Sequence, residues 1–309
     1  MRLPGEIGDQ VAHSIRAAQA RGVKVRLVYN EDHVNPIPVP PPPSTDPSIL
    51  ETLGVPIKPI PGDRDLMHHK YVVRDGRDVW TGSMNWTIDS WTRQENVIAQ
   101  VTDAGVAHAF LQNFEELWRT AEVDGSGNFD SPRAQIRPWF CPGRGEDLSE
   151  HISGSIDRAR RRIRIASPVI TTSPILAILA HVVSDGQVDV AGVVDATQMQ
   201  QVFGQWYENS NAAWKLPLIE RVLDRGDFSG KPSTPYTPDS VHDYMHAKVT
   251  VCDDVVFIGS FNLSHSGEQN AENVLEIHDA QVADRMAAFV DAIRARYPEA
   301  PLPGRQGKP

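Results

Sequence analysis

The sequence predicts an α/β protein of two similar halves, and three observations predict it. The run Met67-His-His-Lys-Tyr-Val-Val-Arg-Asp75 recurs as Met245-His-Ala-Lys-Val-Thr-Val-Cys-Asp253. Each copy is followed by a turn and a matching strand, Trp80-Thr-Gly-Ser-Met-Asn85 and Phe257-Ile-Gly-Ser-Phe-Asn262, and then by Glu95-Asn96-Val97 and Glu272-Asn273-Val274 at equal distance. Around both copies, helical apolar spacing alternates with strand alternation, the pattern of a sheet covered by helices.

The elements follow in order. Ile7 to Arg21 has helical apolar spacing and Gly22 stops it. Val23-Lys-Val-Arg-Leu-Val-Tyr29 alternates like a strand. Residues 36–47, with Pro40-Pro-Pro-Pro43, read as an extended surface loop, a stiff spacer rather than a docking site for a proline-binding module. The first motif copy supplies two strands around the tight Asp75-Gly76 turn. Val106 to Thr120 closes that half as a helix. Asp124 to Gly145, rich in glycine, proline and polar residues, reads as the link. Then come a helix (Glu150 to Arg161), a strand (Arg162 to Ser167), a helix (Ser173 to Ser184) and a strand (Val188 to Val194). The second copy follows, closed by the helix Ala280 to Arg296. The expected boundaries are 1–123 for the first half, 124–145 for the linker, 146–300 for the second half and 301–309 for a disordered tail.

The second half opens with a helix and a strand, whereas the first half starts directly at the counterpart of the Ser173 helix. The expectation is that the natural chain carries one further βα unit, roughly 30–40 residues, before Met1. Such an extension could also hold an export signal.

Composition narrows the function. A chain of 309 residues fits two halves sharing an interface, and 40 % hydrophobic with 23 % charged residues implies a folded core. The net charge of -10 argues against tight, salt-dependent binding to long nucleic acid, although a local cluster of Lys and His still captures a phosphate. No apolar run approaches the roughly 18 residues of a membrane span, and Met1-Arg-Leu-Pro-Gly-Glu6 lacks the apolar stretch of a signal peptide. A cytoplasmic location is expected for the sequence as it stands. Of the two cysteines, Cys141 and Cys252, the latter lies in an apolar run and reads as a small buried residue.

The chemistry sits in the doubled motif. Residues i and i+2 of a strand share a face, so His68 points with Lys70 and His246 with Lys248. Ser83 and Asn85 share a face, as do Ser260 and Asn262. Gly82 and Gly259 carry no side chain, so an anion is expected to approach the backbone there. Lysine and amide donors cradle phosphate and stabilise transition-state charge. One neutral imidazole can attack phosphorus, and a second, protonated one can give its proton to the departing alkoxide. A carboxylate on each histidine's other nitrogen would fix its tautomer. The two copies supply two histidines, two lysines and two glutamates, so one site needs both halves.

The pattern His68-x-Lys70-x4-Asp75-x6-Gly82-Ser83-x-Asn85 resembles the HKD signature of the phospholipase D superfamily. The second copy, His246-x-Lys248-x4-Asp253-x5-Gly259-Ser260-x-Asn262, matches it with a turn one residue shorter. The resemblance runs from Ile7 to about Arg296. It implies two α/β halves, each a mixed sheet flanked by helices, related by pseudo-twofold symmetry with the active site at their interface. It implies a covalent phosphohistidine on His68 or His246, the other acting as general acid and base, with His68 favoured because the first-half histidine more often attacks in similar proteins. Lys70, Lys248, Ser83, Asn85, Ser260 and Asn262 would hold phosphate, and Glu95 and Glu272 would orient the histidines across the interface. Asp75 and Asp253 would stabilise their hairpins, and Gly82 and Gly259 would be structural. The family needs no metal or other cofactor, so none is expected.

Weaker signals have plainer readings. His242-x3-His246 or His68-His69 as zinc ligands is disfavoured because no third ligand recurs in both halves. His69 points off the Lys70 face and reads as structural. Arg158 to Arg164 reads as a solvated helix face rather than a phosphate patch, and Trp86 and Trp91 read as core.

The expected activity is hydrolysis or transfer of a phosphodiester, a phospholipid headgroup being favoured, with peripheral membrane contact and a monomer holding both motifs. The alternatives are a metal-independent endonuclease on DNA or RNA, a phosphatidyltransferase resembling cardiolipin synthases, and an inactive scaffold. The scaffold is disfavoured because every expected residue type is present in both copies.

Overall fold

The computed structural model describes residues 6–33, 50–62, 65–130, 134–235, 237 and 240–303. The proline-rich stretch and the tail beyond residue 303 lie outside them. In the first half, α1 (Glu6–Ala20) leads to β1 (Leu27–His33), which pairs in parallel with β2 (Ile57–Gly62). The strand expected from Val23 begins at Leu27, because Gly22 turns the chain at φ +87° and the Val23 amide still bonds the helix carbonyl of Ala18. The motif hairpin β3 (Tyr71–Arg74) and β4 (Asp78–Gly82) pairs onward, past the short α2 (Ile88–Thr92), with β5 (Ile98–Thr102). Helix α3 (Ala104–Thr120) closes the half, with Asp103 capping its first turn.

The second half runs β6 (Ile136–Phe140), α4 (Gly145–Arg158), β7 (Arg162–Ala166), α5 (Ser173–Asp185), β8 (Asp189–Asp195), α6 (Ala196–Glu208), α7 (Leu216–Arg225) and β9 (Asp227–Lys231). It continues with β10 (Val249–Cys252), β11 (Val255–Gly259), α8 (His265–Gln269), β12 (Asn273–His278) and α9 (Ala280–Arg294). Its seven strands form one mixed sheet in the order β6-β12-β11-β10-β7-β8-β9, parallel over β7, β8 and β9 and antiparallel elsewhere.

Two sequence expectations change here. The segment read as a linker contains β6, which pairs with β12 along the sheet's edge. Pro138 lies within it, which an edge strand tolerates, since only one side of it must donate to a ladder. The unit from α6 to β9, placed between β8 and the second motif, carries no repeat signal and was not read as elements at all.

Apolar packing joins the halves. On one face of the large sheet, Leu148 and Ile152 of α4 and Ile175 and Leu179 of α5 cover Phe257 and Val274. On the other face, Val251, Val256, Leu275 and Ile277 meet Val290 and Ile293 of α9 and also Val79, Val97, Val101 and Phe110 of the first half. The interface is therefore hydrophobic core, which fixes the two motifs against each other. The first half's small sheet differs on its outer side. Val72 is 41 % exposed, Trp80 52 % and Ile98 49 %, and among the described residues nothing covers that face as α4 covers its counterpart.

Asp75 and Asp253 both adopt left-handed turns, at φ 53° and 52°. Asp253 also gathers the backbone N–H groups of Arg160, Arg161 and Arg162 at the start of β7. That occupies the arginine run structurally. Arg164 is buried against Asp189 and Asp291.

Candidate active site

Each motif histidine hangs from the opposite half. The His68 amide donates to the Ala271 carbonyl at 2.9 Å, and the His246 amide donates to the Glu95 carbonyl at 3.0 Å. Short parallel bridges, Met67 to Ala271 and Glu95 to Met245, frame the pair. This crosswise pairing brings the two copies to one place.

Lys70 and Lys248 are nearly fully buried, and each folds back to donate to its own histidine's carbonyl, at 2.6 Å and 2.7 Å. Burial pulls the Lys70 ammonium down to about 8, with Glu272 opposing. Burial and then neighbouring Lys70 push Lys248 well below the ordinary lysine range. The Nδ1–H of His68 donates to the Glu272 carboxylate at 2.6 Å, across the interface. Burial alone would raise Glu272, but His68 and Lys70 outweigh it and hold the group below the usual carboxylate range. His68 itself is lowered by burial, partly offset by Glu272. His246 is lowered further, by burial and then by Lys248, Lys70 and His68. Both rings are thus neutral near pH 7, with Nδ1 protonated and Nε2 bare.

The carboxylate expected on His246 is not Glu95. The Nδ1 of His246 meets the Asn96 side-chain oxygen at 3.0 Å, while the Glu95 carboxylate turns to Tyr297 at 2.6 Å and Arg296 at 3.0 Å. The two Glu-Asn-Val stretches are out of structural register by one. Gly82 stands opposite Ile98, whereas Gly259 stands opposite Val274. Asn96 is therefore the counterpart of Glu272, and Glu95 that of Ala271. Parity decides it: Val97 and Val101 face the shared core, so a one-residue slip would expose them and bury Gln100 and Thr102. The alternation of Val97, Ala99 and Val101 carried that signal in the sequence, and identical letters hid it.

The remaining motif residues separate into two kinds. Ser83 and Ser260 are fully buried, and their hydroxyls accept from the amides of Val97 and Asn273 at 3.0 Å. They brace neighbouring strands instead of contacting phosphate as expected. Gly82 and Gly259 also serve strand approach rather than anion approach: a Cβ would come within 2.1 Å of the Val97 carbonyl oxygen and 2.0 Å of that of Asn273. Asn85 and Asn262 are half-buried beside the lysines' strands, and among the described residues their amides have no hydrogen-bond partner. His69 turns away to Asn273 at 3.2 Å and packs on Tyr71 and Phe140, with burial lowering it to about 4. Trp86 and Trp91, expected in the core, form a tilted pair 6.0 Å apart, half-buried and exposed, Trp86 just before α2 and Trp91 within it.

The two imidazoles and the two buried lysines lie close enough to shift one another's protonation, and half-buried Asn85 and Asn262 follow the second strand of each motif. Such a set has the groups needed to bind a tetrahedral anion, form a bond to its central atom and move one proton.

Known proteins agree with this outline. The family profile described as "Cardiolipin synthase, PLD-like domain" matches residues 7–118 and 152–294. The mitochondrial cardiolipin hydrolase of Xenopus tropicalis is 32 % identical over 110 residues, 35 % of this chain and 49 % of that protein. A phospholipase D of Rickettsia bellii (strain RML369-C) is 28 % identical over 154 residues, 49 % of this chain and 65 % of that one. The chain spans about half the length of the cardiolipin hydrolases it matches. The phosphatidylserine synthase of Haemophilus influenzae Rd KW20 superposes with a TM-score of 0.60 at 13 % identity, covering 94 % of this chain and 84 % of that one. At that identity the likeness is one of fold.

Proposed function

This chain belongs to the phospholipase D-like family, and on that premise we propose that it hydrolyses or transfers a phospholipid headgroup phosphodiester through a covalent phosphohistidine on His68. The observation that carries the assignment is the unequal pairing of the two histidines. Glu272 holds His68 through a charge-assisted bond, whereas His246 meets the neutral Asn96 amide and the Ser83 backbone and, among the described residues, no carboxylate. Forming a nitrogen–phosphorus bond makes the ring cationic, and a buried carboxylate at 2.6 Å stabilises that cation. A neutral amide stabilises a cationic ring less, which keeps His246 the stronger acid and suits it to giving a proton away.

The steps balance. Nε2 of His68 attacks phosphorus, the bond to the headgroup oxygen breaks, and protonated His246 delivers its proton to that oxygen. Water or an alcohol then attacks phosphorus, His246 takes its proton, and the nitrogen–phosphorus bond breaks. Lys70, Lys248, Asn85 and Asn262 hold the phosphate oxygens. An arriving anion offsets the lysine charges that keep His246 neutral in the empty site, so substrate itself favours the protonated acid.

Phospholipid is preferred over nucleic acid because the relatives above are named for phospholipid reactions and the chain carries a net charge of -10. No helix among the described residues is long and apolar enough to cross a membrane, so contact with lipid would be made from the surface. The test incubates the protein with cardiolipin or phosphatidylcholine vesicles, single-stranded DNA and bis-p-nitrophenyl phosphate in parallel. Headgroup release from the vesicles is expected. Cleavage of DNA with intact vesicles would overturn the substrate class, and a folded protein inert to all would overturn the enzyme.

Lys70 sets an alkaline limit. Its ammonium is charged below about 8 and neutral above it, so phosphate binding weakens as pH rises through that value. Losing a hydrogen bond from a charged donor costs about 1.5–3 kcal/mol, about tenfold to a hundredfold in KM. Lys70→Arg, which keeps its charge, should remove that limb from the KM profile. An unchanged limb in Lys70→Arg would assign it elsewhere.

A further inference from the structure

The grips on the two histidines are built alike and charged differently. At His68, the Met67 amide donates to the Asn30 side chain at 2.8 Å and the His68 amide to the carbonyl of Ala271. At His246, the Met245 amide donates to the Asp195 carboxylate at 3.0 Å and the His246 amide to the carbonyl of Glu95. Strand register extends the match. Asn30 pairs with Ile60 across β1 and β2, and Asp195 pairs with Lys231 across β8 and β9. Asn30, Ile60 and Ala271 on the His68 side are thus replaced by Asp195, Lys231 and Glu95 on the His246 side.

These charged residues interlock. Lys231 is 7 % exposed; its ammonium reaches the Tyr244 carbonyl at 3.5 Å and the Arg93 carbonyl at 3.3 Å, and lies 3.7 Å from the Glu95 carboxylate. The Glu95 amide donates to that same Tyr244 carbonyl, and its carboxylate takes the Tyr297 hydroxyl and Arg296. Asp195, fully buried, also accepts from the Gln198 amide and the Ser233 hydroxyl. Tyr244, Met245 and His246 are held at three consecutive backbone positions. A buried lysine is costly unless paired, so its presence where the other half has isoleucine calls for a compensating role.

Resting on the histidine roles given above, we infer that Lys231, Glu95 and Asp195 are positioning residues for His246, a charged cradle that aims the proton donor. The nucleophile's ring is aimed by a direct carboxylate. His246, paired with an amide, is aimed through its backbone, and the cradle stiffens that backbone from both halves.

Leaving groups separate this from a merely structural role. An alkoxide needs a proton to depart and p-nitrophenolate hardly does. Lys231→Met is measured for first-turnover release of choline from phosphatidylcholine and of p-nitrophenolate from bis-p-nitrophenyl phosphate. The apolar Ile60 at the matching position shows that the fold accepts such a side chain. Choline release should fall about tenfold to a hundredfold, while the p-nitrophenolate burst stays within about threefold of wild type. Lys231→Arg should recover most of the choline rate. Equal losses on both substrates, or none on either, would overturn the cradle. If Lys231→Met does not fold, Glu95→Gln keeps the backbone grip, removes only the charge and is judged by the same ratio. A wild type inert to both diesters would instead overturn the parent function.

Discussion

His68→Ala and His246→Ala each abolish turnover, and they do so with unequal effects on stability. Removing the nucleophile leaves no group to form the intermediate, and removing an acid and base alone costs about a hundredfold to ten-thousandfold. The fold survives because each histidine's grip is a backbone bond, from the amides of His68 and His246 to Ala271 and Glu95, which an alanine keeps. What differs is the residue left behind. His68→Ala takes the charge-assisted partner from the buried Glu272 carboxylate and leaves it a long bond from the Asn270 amide at 3.5 Å, its second oxygen having no hydrogen-bond partner among the described residues. An unsatisfied buried charged acceptor costs about 1–3 kcal/mol or more. His246→Ala strands no charged group: the Asn96 amide keeps its bond from the Ser83 hydroxyl. Thermal unfolding should therefore place His68→Ala below His246→Ala. Residual turnover above about a tenth of wild type in either folded variant would contradict a mechanism that needs both rings.

Quenching His246→Asn during turnover traps the substrate's phosphoryl group on His68. With bis-p-nitrophenyl phosphate the first step needs little help from an acid, so the adduct forms. Its breakdown needs a base for water, and the variant has none, so the adduct approaches about one per chain. Peptide mapping after a denaturing, alkaline quench should locate the added mass on the peptide holding His68. The carboxylate of Glu272 stabilises the cationic ring and lengthens the adduct's life. The reciprocal His68→Asn variant should carry none. An adduct on His246 in that variant would reverse the two roles, and with them the meaning of the Glu272 and Asn96 asymmetry.

The fold class, the two halves and the meeting of His68, Lys70, His246 and Lys248 were all legible, because a doubled motif with matching flanks constrains topology strongly. What escaped was set by parity and by long-range assembly. Glu95 and Glu272 share letters and spacing, yet the inward face of β5 shifts their structural counterparts by one, and no comparison of letters reveals which way a strand faces. Strand β6 hid within a segment rich in glycine, proline and polar residues, and its place at a sheet edge is visible only once the sheet order is known. Ser83 and Ser260 looked like phosphate donors because residue type was read without burial. Lys231 and Asp195 offered no motif at all; the chain brings them to Glu95 only when β8, β9 and the second motif are folded together.

The crosswise stitching has a consequence for motion. Four backbone bonds cross between the halves around the site: Ala271 to Leu66, His68 to Ala271, Glu95 to Tyr244 and His246 to Glu95. At about 0.5–1.5 kcal/mol each, swinging the halves apart would forfeit about 2–6 kcal/mol from these bonds alone. The shared apolar core and the His68–Glu272 contact would be lost with them. A clamshell opening of that kind would dismantle both histidine grips at once, so it cannot serve as a working stroke.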